Sequence, residues 1–251
     1  MSDLAGKVAV VTGSARGVGK AIAQRYARLG ASVVVNYSSD EQNARRTVEE
    51  IEAAGGDAIA VQADIATPAE IDRLFATAVE TYGSLDIVVA NAGVEIVDEP
   101  VLDATEEQFD RLFAINSKGA FFTLQKAAKL LTDGGRLINI GSSSTVSPVP
   151  GTGLYSSSKT ASRQLVRVLA LELGPRNITV NTILPTVIAG AGVFTQVTED
   201  DEFHQVNAGM RPLGGRPGTP EDVADAAEYL AGDLAAWVSG QALLVSGGAV
   251  Q

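Results

Sequence analysis

Seven short runs rich in Val, Ile, Leu and Ala punctuate the chain at 8–11, 33–35, 58–61, 85–90, 136–140, 178–183 and 242–245. Most are nearly continuous in apolar residues rather than alternating, which is the mark of strands buried on both faces of a parallel sheet. Between them lie segments of helical period at 17–29, 40–54, 68–82, 106–131, 155–173 and 220–231. Strand alternating with helix builds βαβ units, so the pattern predicts an α/β fold: a doubly wound, seven-stranded parallel sheet with helices on both faces. Thr67-Pro68-Ala69-Glu70 and Thr105-Glu106-Glu107-Gln108 each place an N-cap hydroxyl three residues before Glu or Gln. Thr219-Pro220-Glu221-Asp222 is a weaker version. The stretch 185–217 shows no clear period and is rich in Gly, which predicts a functional lid over a pocket. No repeat or low-complexity block divides the sequence, and it reads as one domain over 1–251.

Composition narrows the chemistry. With 251 residues, 45% of them hydrophobic and 20% charged, the chain can fill one large core. Nineteen Lys plus Arg against thirty Asp plus Glu leave a formal charge of -11, and no basic run interrupts the acidic background. Neither a nucleic-acid surface nor an anionic membrane surface is expected. The absence of Cys excludes disulfides, thiolate metal sites and a Cys nucleophile. A single His, His204, excludes His-rich metal sites and argues against a Ser-His-Asp triad, so no metal is expected and His204 reads as lid surface. No window approaches the roughly 20 apolar residues of a membrane helix, and the 8–11 run is too short for a signal-peptide core. These features predict a soluble, cytoplasmic protein acting on a small molecule.

The first strand leads through Thr12-Gly13-Ser14-Ala15-Arg16-Gly17-Val18-Gly19 into an amphipathic helix. Glycines there permit a tight turn and let backbone N–H groups approach a pyrophosphate at the positive helix N-terminus. A ligand-free glycine turn is the plain alternative. A kinase-type phosphate loop fails twice, because Ser14 stands where it needs Gly and Ala21 where it needs Ser or Thr. The spacing is Thr-Gly-x-x-x-Gly-x-Gly, and with it the chain resembles the short-chain dehydrogenase/reductase family, in which this loop binds NAD or NADP. Asn91-Ala92-Gly93 after the fourth strand, Asn116 in the next helix, Ser142 after the fifth strand and Tyr155-Ser156-Ser157-Ser158-Lys159 match the family in order over essentially the whole chain. The resemblance is similar in outline to 3-ketoacyl-acyl-carrier-protein reductases. It implies a Rossmann fold and a cofactor site of Gly13, Ser14, Arg16, Gly17, Val18, Gly19, Tyr37, Ser38, Ser39, Asp64, Ile65, Asn91, Ala92, Gly93, Tyr155, Lys159, Pro185, Thr186 and Ile188.

A carboxylate at the end of the second strand would accept from the adenosine 2'-hydroxyl and repel a 2'-phosphate. Tyr37 stands where NAD-preferring relatives resemble one another in carrying Asp, and Arg16 where NADP-preferring relatives place a basic residue. Ser38 and Ser39 add hydroxyl donors, although Asp40 lies close by. The resemblance therefore implies NADP(H), with NAD(H) as the alternative. Asp64 resembles the family residue that meets the adenine edge, or is a turn Asp before Thr67.

Tyr155 and Lys159 are four apart, so a helix puts both on one face. An ammonium near a phenol favours phenolate, and lowering the Tyr pKa makes it a general acid or base near neutral pH. The resemblance assigns Ser142 to the substrate carbonyl oxygen, Lys159 to the nicotinamide ribose, and Asn116 to a helix kink that organises a water beside the lysine. Ser143 and Ser144 flank Ser142, and a buried Asn satisfied by backbone is the other reading of Asn116. The implied reaction is hydride transfer between nicotinamide and a carbonyl carbon, with Tyr155 handling the proton. Three positions, 90, 186 and 190, depart from the family. Ala90 replaces the first Asn of Asn-Asn-Ala-Gly, and Pro185-Thr186-Val187-Ile188-Ala189-Gly190 replaces Pro-Gly-x-x-x-Thr, leaving Thr186 or Thr195 to hold the carboxamide.

Candidate substrate contacts are Val94, Glu95, Ser144, Val146, Leu154, Val187, Val193 and Phe194, mostly apolar. Ketoacyl thioesters, quinones, sugars and simple ketones all stay open, as do an NAD-dependent alcohol or sugar dehydrogenase and a catalytically silent dinucleotide-binding regulator. The resemblance also implies a homotetramer. Helices 106–131 and 155–173 would pair across a two-fold axis through Phe121, Phe122, Leu124, Leu165, Val168 and Leu169, with a second interface near Val245-Ser246-Gly247-Gly248.

Overall fold

The computed structural model describes residues 3–195 and 202–249, with only the backbone at 202–204, so the expectation for the His204 side chain lies outside the described residues. Seven parallel strands, β1 (Val8–Val11), β2 (Ser32–Tyr37), β3 (Asp57–Gln62), β4 (Ile87–Ala90), β5 (Arg136–Ile140), β6 (Thr179–Pro185) and β7 (Ala242–Val245), form one sheet in the order β3-β2-β1-β4-β5-β6-β7. Val11 is in register with Val35 on one side and Val89 on the other. Strand order reverses at β1 and β4, which opens a crevice at their carboxyl ends where ligands of such sheets bind.

Alternating Cβ directions explain why the strands are apolar throughout. Ala9, Val11, Val33 and Val35 pack with Ile22 and Tyr26 of α1 (Gly17–Arg28), Ala44 and Ile51 of α2 (Glu41–Ala53), and Ala227 and Leu230 of α8 (Pro220–Ala231). Val10, Val34 and Val88 point the other way, onto Leu74 and Phe75 of α3 (Pro68–Tyr82), Leu124 of α5 (Ala120–Leu130) and Val166 of α6 (Gly153–Leu173).

Three expectations about elements need correction. The helix predicted over 106–131 is broken into α4 (Glu106–Leu112), a π-helical stretch Phe113–Gly119 and α5, with the Ala120 N–H reaching back five residues to the Ile115 carbonyl. Apolar periodicity does not register a widened turn, because the side chains on either side still face the core. Thr67 makes no side-chain cap; Glu70, its expected partner, instead accepts the Asp64 N–H at 2.8 Å, while the Thr105 and Thr219 capping boxes are both closed. The 185–217 stretch carries a helix, α7 (Glu202–Gly209), and a parallel bridge from Ile188 to Gly218. Eight residues hold too few turns for a period to stand out. No helix among the described residues is long and apolar enough to cross a membrane.

Candidate active site

The cleft at the carboxyl ends of β1 and β4 has a volume of about 650 Å³, within the roughly 300–1,000 Å³ of ligand and cofactor sites. Its floor is the glycine loop. Gly13 and Gly17 have φ of +62° and +57°, values only glycine adopts freely, and a Cβ on Gly19 would stand 2.5 Å from both Asn91 Nδ2 and the Gly13 carbonyl. Backbone therefore approaches the cleft where a side chain would fill it. Two residues that sequence reasoning passed over hold the loop. Thr12 Oγ1 accepts the backbone N–H groups of Asn91 and Ala92, each at 3.0 Å, and buried Asn36 accepts the Gly13 N–H at 3.0 Å while donating to the Val61 and Ala63 carbonyls. Thr12 is the first residue of the loop motif and Asn36 an amide in an otherwise apolar strand, which is the signal that was available.

Most of the predicted cofactor set lines this one cleft: Gly13, Arg16, Gly17, Val18, Gly19, Tyr37, Ser38, Ser39, Asp64, Ile65, Asn91, Ala92, Gly93, Tyr155, Lys159, Pro185, Thr186 and Ile188. Ser14 does not. Its hydroxyl is buried, donating to the Val11 carbonyl at 2.7 Å and accepting the Asn36 N–H, so it braces the loop from behind. Both carboxylate oxygens of Asp40 accept from Asn43 in the N-cap of α2. Asp64 closes a turn by accepting the Ala66 N–H and still borders the cleft. Thr186 borders it too, and its Oγ1 is buried with no hydrogen-bond partner. An orphaned hydroxyl, a side-chain-free cradle and a helix N-terminus are together a donor set that fits a dinucleotide.

At the other end, α6 presents Tyr155 and Lys159 to the cleft and β5 delivers Ser142 beside them. Ser144 Oγ lies 2.9 Å from Ser142 Oγ and takes no part in lining the cleft; neither do Val146, Leu154 or Val187. Lys159, 6% exposed, donates to the Ile140 carbonyl at 3.3 Å, and burial pushes its ammonium down to about 8 against the opposing pull of Glu95. The expected depression of the Tyr155 pKa is not what the protein matrix supplies: burial pushes the phenol above 10, Glu95 adds to that, and the polar Ser142 side chain opposes it. Desolvation of a phenolate outweighs one polar neighbour. Asn116, 1% exposed and set back from the cleft on the π-helical stretch, clamps Val94 by accepting its N–H at 2.9 Å and donating to its carbonyl at 2.8 Å, and bonds Ser158 at 2.9 Å. That is the backbone-satisfied arrangement, and it fixes the Gly93-Val94 loop beside Lys159: a Cβ on Gly93 would lie 2.6 Å from Lys159 Nζ.

A protein-family model described as enoyl-(acyl carrier protein) reductase, of the short-chain type, matches residues 13–250. The chain belongs to the short-chain dehydrogenase/reductase family. It is therefore an NAD(P)-dependent oxidoreductase. This short-chain dehydrogenase/reductase is 40% identical over 264 residues to the hydroxynaphthalene reductase-like protein Arp2 of Metarhizium brunneum, covering 99% of this chain and 96% of the relative. Among solved structures it resembles LugOII, a promiscuous reductase that catalyses keto-reduction at C1 during lugdunomycin biosynthesis, with a TM-score of 0.92, 40% identity and full coverage of both chains. It also resembles the landomycin C-6 ketoreductase LanV, solved with bound NADP and rabelomycin, with a TM-score of 0.87 and 35% identity over 99% of this chain and 98% of that one. Of the expected substrate contacts in this dehydrogenase/reductase, Val94, Glu95, Val193 and Phe194 line the cleft. Glu95 Oε2 accepts the Val193 N–H at 3.4 Å, and burial raises the Glu95 pKa against the pull of that N–H and of Lys159.

Proposed function

We propose that this protein is an NADP(H)-dependent ketoreductase that interconverts a free carbonyl compound and its alcohol, with Tyr155 as the proton donor. The observation that carries the reading is the meeting of Ser142, Tyr155 and Lys159 at one end of a cleft whose other end is the glycine loop. Bound there, the cofactor supplies hydride to the carbonyl carbon. Gly13, Gly17, Val18 and Gly19 would hold its pyrophosphate, Asn91 to Gly93 and Lys159 its nicotinamide ribose, and the orphaned Thr186 hydroxyl its carboxamide. Ser142 orients the carbonyl oxygen and Tyr155 gives it a proton. The raised phenol pKa keeps that proton on Tyr155 until alkoxide charge develops, when transfer becomes favourable. Lys159 keeps a cation beside the pair, and Asn116 keeps the Val94 backbone from closing on it. Val193 and Phe194 exclude water from above.

For the cofactor, Arg16 at the loop and Tyr37, Ser38 and Ser39 at the end of β2 favour a 2'-phosphate over a free 2'-hydroxyl, and the Asp40 carboxylate, which borders the same cleft, opposes them. The NADP in LanV is consistent with that choice. For the substrate, the segment beside the start of α6 carries Asp98, Glu99, Asp103, Glu106 and Glu107 with no Lys or Arg between them. Glu99 bonds Gly151 and Val101 abuts Gly153 there, so the acidic segment flanks the catalytic helix and favours an uncharged ketone over an anionic carrier-bound one. The named reductions of LugOII and LanV, both ketones, point the same way. A homotetramer in the cytoplasm completes the reading.

The test is turnover of a carbonyl panel followed by NADPH absorbance, repeated with Tyr155→Phe. Substitution should leave NADPH affinity intact and cut the rate to below about a hundredth, the weak limit of general acid catalysis. A variant that keeps more than that removes Tyr155 as the proton donor, and a parent that reduces nothing on the panel ends the reading.

A further inference from the structure

The cleft beyond the cofactor residues is walled by Val94, Val193, Phe194 and the Ser142–Tyr155 pair, and Glu95 is the one carboxylate among the described residues of that half. Nothing in the reduction of a plain ketone needs it there. A carboxylate is an acceptor only, and this one has a single weak donor, the Val193 N–H at 3.4 Å. Its other oxygen, Oε1, has no hydrogen-bond partner among the described residues and is not among their buried unpartnered atoms, so it is open to the water of the cleft. The lid comes down directly on it: Gly192 has φ of +58°, and a Cβ there would stand 2.6 Å from Glu95 Oε2. The charged and titratable groups that act on it are Lys159 and Tyr155, on α6.

An apolar ketone that filled this space would seal an under-bonded carboxylate away from water, at the cost of its desolvation. A ketone carrying a hydroxyl would bring the missing donor. A carboxylated ketone would add a second negative charge in a dry site. We propose that Glu95 is a specificity-determining residue that accepts a hydrogen bond from a hydroxyl of the ketone substrate and excludes ketones that are anionic at that end. The substrate class is thus the hydroxylated, uncharged ketones, phenolic ring ketones among them. This inference rests on the ketoreductase reading of the same cleft, and its test separates the two.

The probes are 1-tetralone, its 5-, 6- and 7-hydroxy derivatives, and its 6-carboxylate, each assayed with NADPH for kcat/KM. At least one hydroxytetralone should exceed 1-tetralone by about tenfold or more, since a site built to bond a hydroxyl discriminates strongly against its loss. The carboxylate should fall about tenfold or more below 1-tetralone. Glu95→Leu should bring the hydroxyl preference close to one, and the near-isosteric Glu95→Gln should relieve the exclusion of the carboxylate; thermal unfolding and NADPH titration check that both variants fold. If Glu95 merely clasps the lid, both variants will slow all ketones by one common factor and leave the ratios of the parent unchanged, which overturns the inference. A parent with no hydroxyl preference overturns it as well, while leaving the ketoreductase reading intact. A parent that reduces none of these ketones overturns both.

Discussion

At the scale of single residues, Lys159 shows how function and stability oppose one another. Its pKa falls from 10.5 to about 8 because the ammonium is buried with one carbonyl for a partner. The folded-state pKa lies below the unfolded one, so the cost of burying the charge is present in full below about pH 8 and disappears as pH rises to the unfolded value near 10.5. Lys159→Met should therefore be inactive yet more stable at pH 7, by up to about 3 kcal/mol for a shift of this size. Unfolding titrations at pH 7 and pH 10.5 check it: a gain that is absent at pH 7, or that persists at pH 10.5, contradicts the linkage. Tyr37 carries the cofactor argument at the same scale. Tyr37→Asp places a carboxylate where a 2'-phosphate would lie, and NADPH binding should weaken about tenfold or more while NADH binding holds or improves. Fluorescence titration with both cofactors decides, and a parent that already binds NADH as tightly as NADPH defeats the premise.

At the scale of elements, α8 depends on its first turn. Asp222 at the start of α8 is held by Arg216 at 2.6 and 2.8 Å, accepts the Thr219 N–H at 2.7 Å, and has its pKa pulled down to about 2, with the Arg216 hydrogen bond as the leading cause. A carboxylate with a depressed folded-state pKa stabilises above its unfolded value near 3.8 and loses that contribution as pH falls through about 2. Arg216 is half exposed, so the pair is screened, and Asp222→Asn should cost about 1 kcal/mol at pH 7. The deficit should shrink below pH 3.8 and vanish near pH 2; denaturant unfolding at those pH values is the measurement, and a pH-independent loss would assign the effect to packing instead. The π-helical stretch obeys a different rule. Gly119 faces Ile65 so closely that a Cβ would lie 2.9 Å from its side chain and 3.0 Å from its carbonyl, and the widened turn next to it sets Asn116 against Val94.

At the scale of the whole molecule, one end of the sheet is left uncovered. Leu234 and Trp237 are 82% and 99% exposed, Leu171 is 82% exposed, and β7 shows Leu243 and Leu244 to solvent. Gly240 packs on Ala170, which brings the Leu234–Trp237 turn and the end of α6 together. Apolar area of this kind marks an interface. Of the residues expected to pair the helices across a two-fold axis, Phe121 and Val168 are exposed, but Leu124 and Leu169 are buried in the core of their own chain and contribute nothing to a partner. Light scattering coupled to size exclusion should find a homotetramer, or at least a dimer. Trp237 is the one tryptophan, so its emission should be blue-shifted in the assembly and move to the red in Leu244→Asp. A monomer near 26 kDa with fully solvated Trp emission and full activity would refute the assembly.

Much of this was legible in residue order because its causes are local. Seven apolar runs, the βαβ alternation and the glycine loop each follow from what a short segment must do to bury itself or to turn, and so the sheet and the cofactor cleft could be read directly. Tyr155 and Lys159 share a helix face at any tertiary arrangement. What the fold alone decided depends on distant neighbours. Thr12 and Asn36 became supports of the loop only when β1, β2 and β4 were paired. Glu70 left Thr67 for Asp64 because the β3–α3 turn offered a better-placed donor. The Tyr155 phenol moved upward in pKa rather than downward because burial is a property of the packed cleft, not of the spacing to Lys159. Glu95 gained its partial bond and its open oxygen only when the lid folded back over it, for a side chain's desolvation is set by residues far away in sequence.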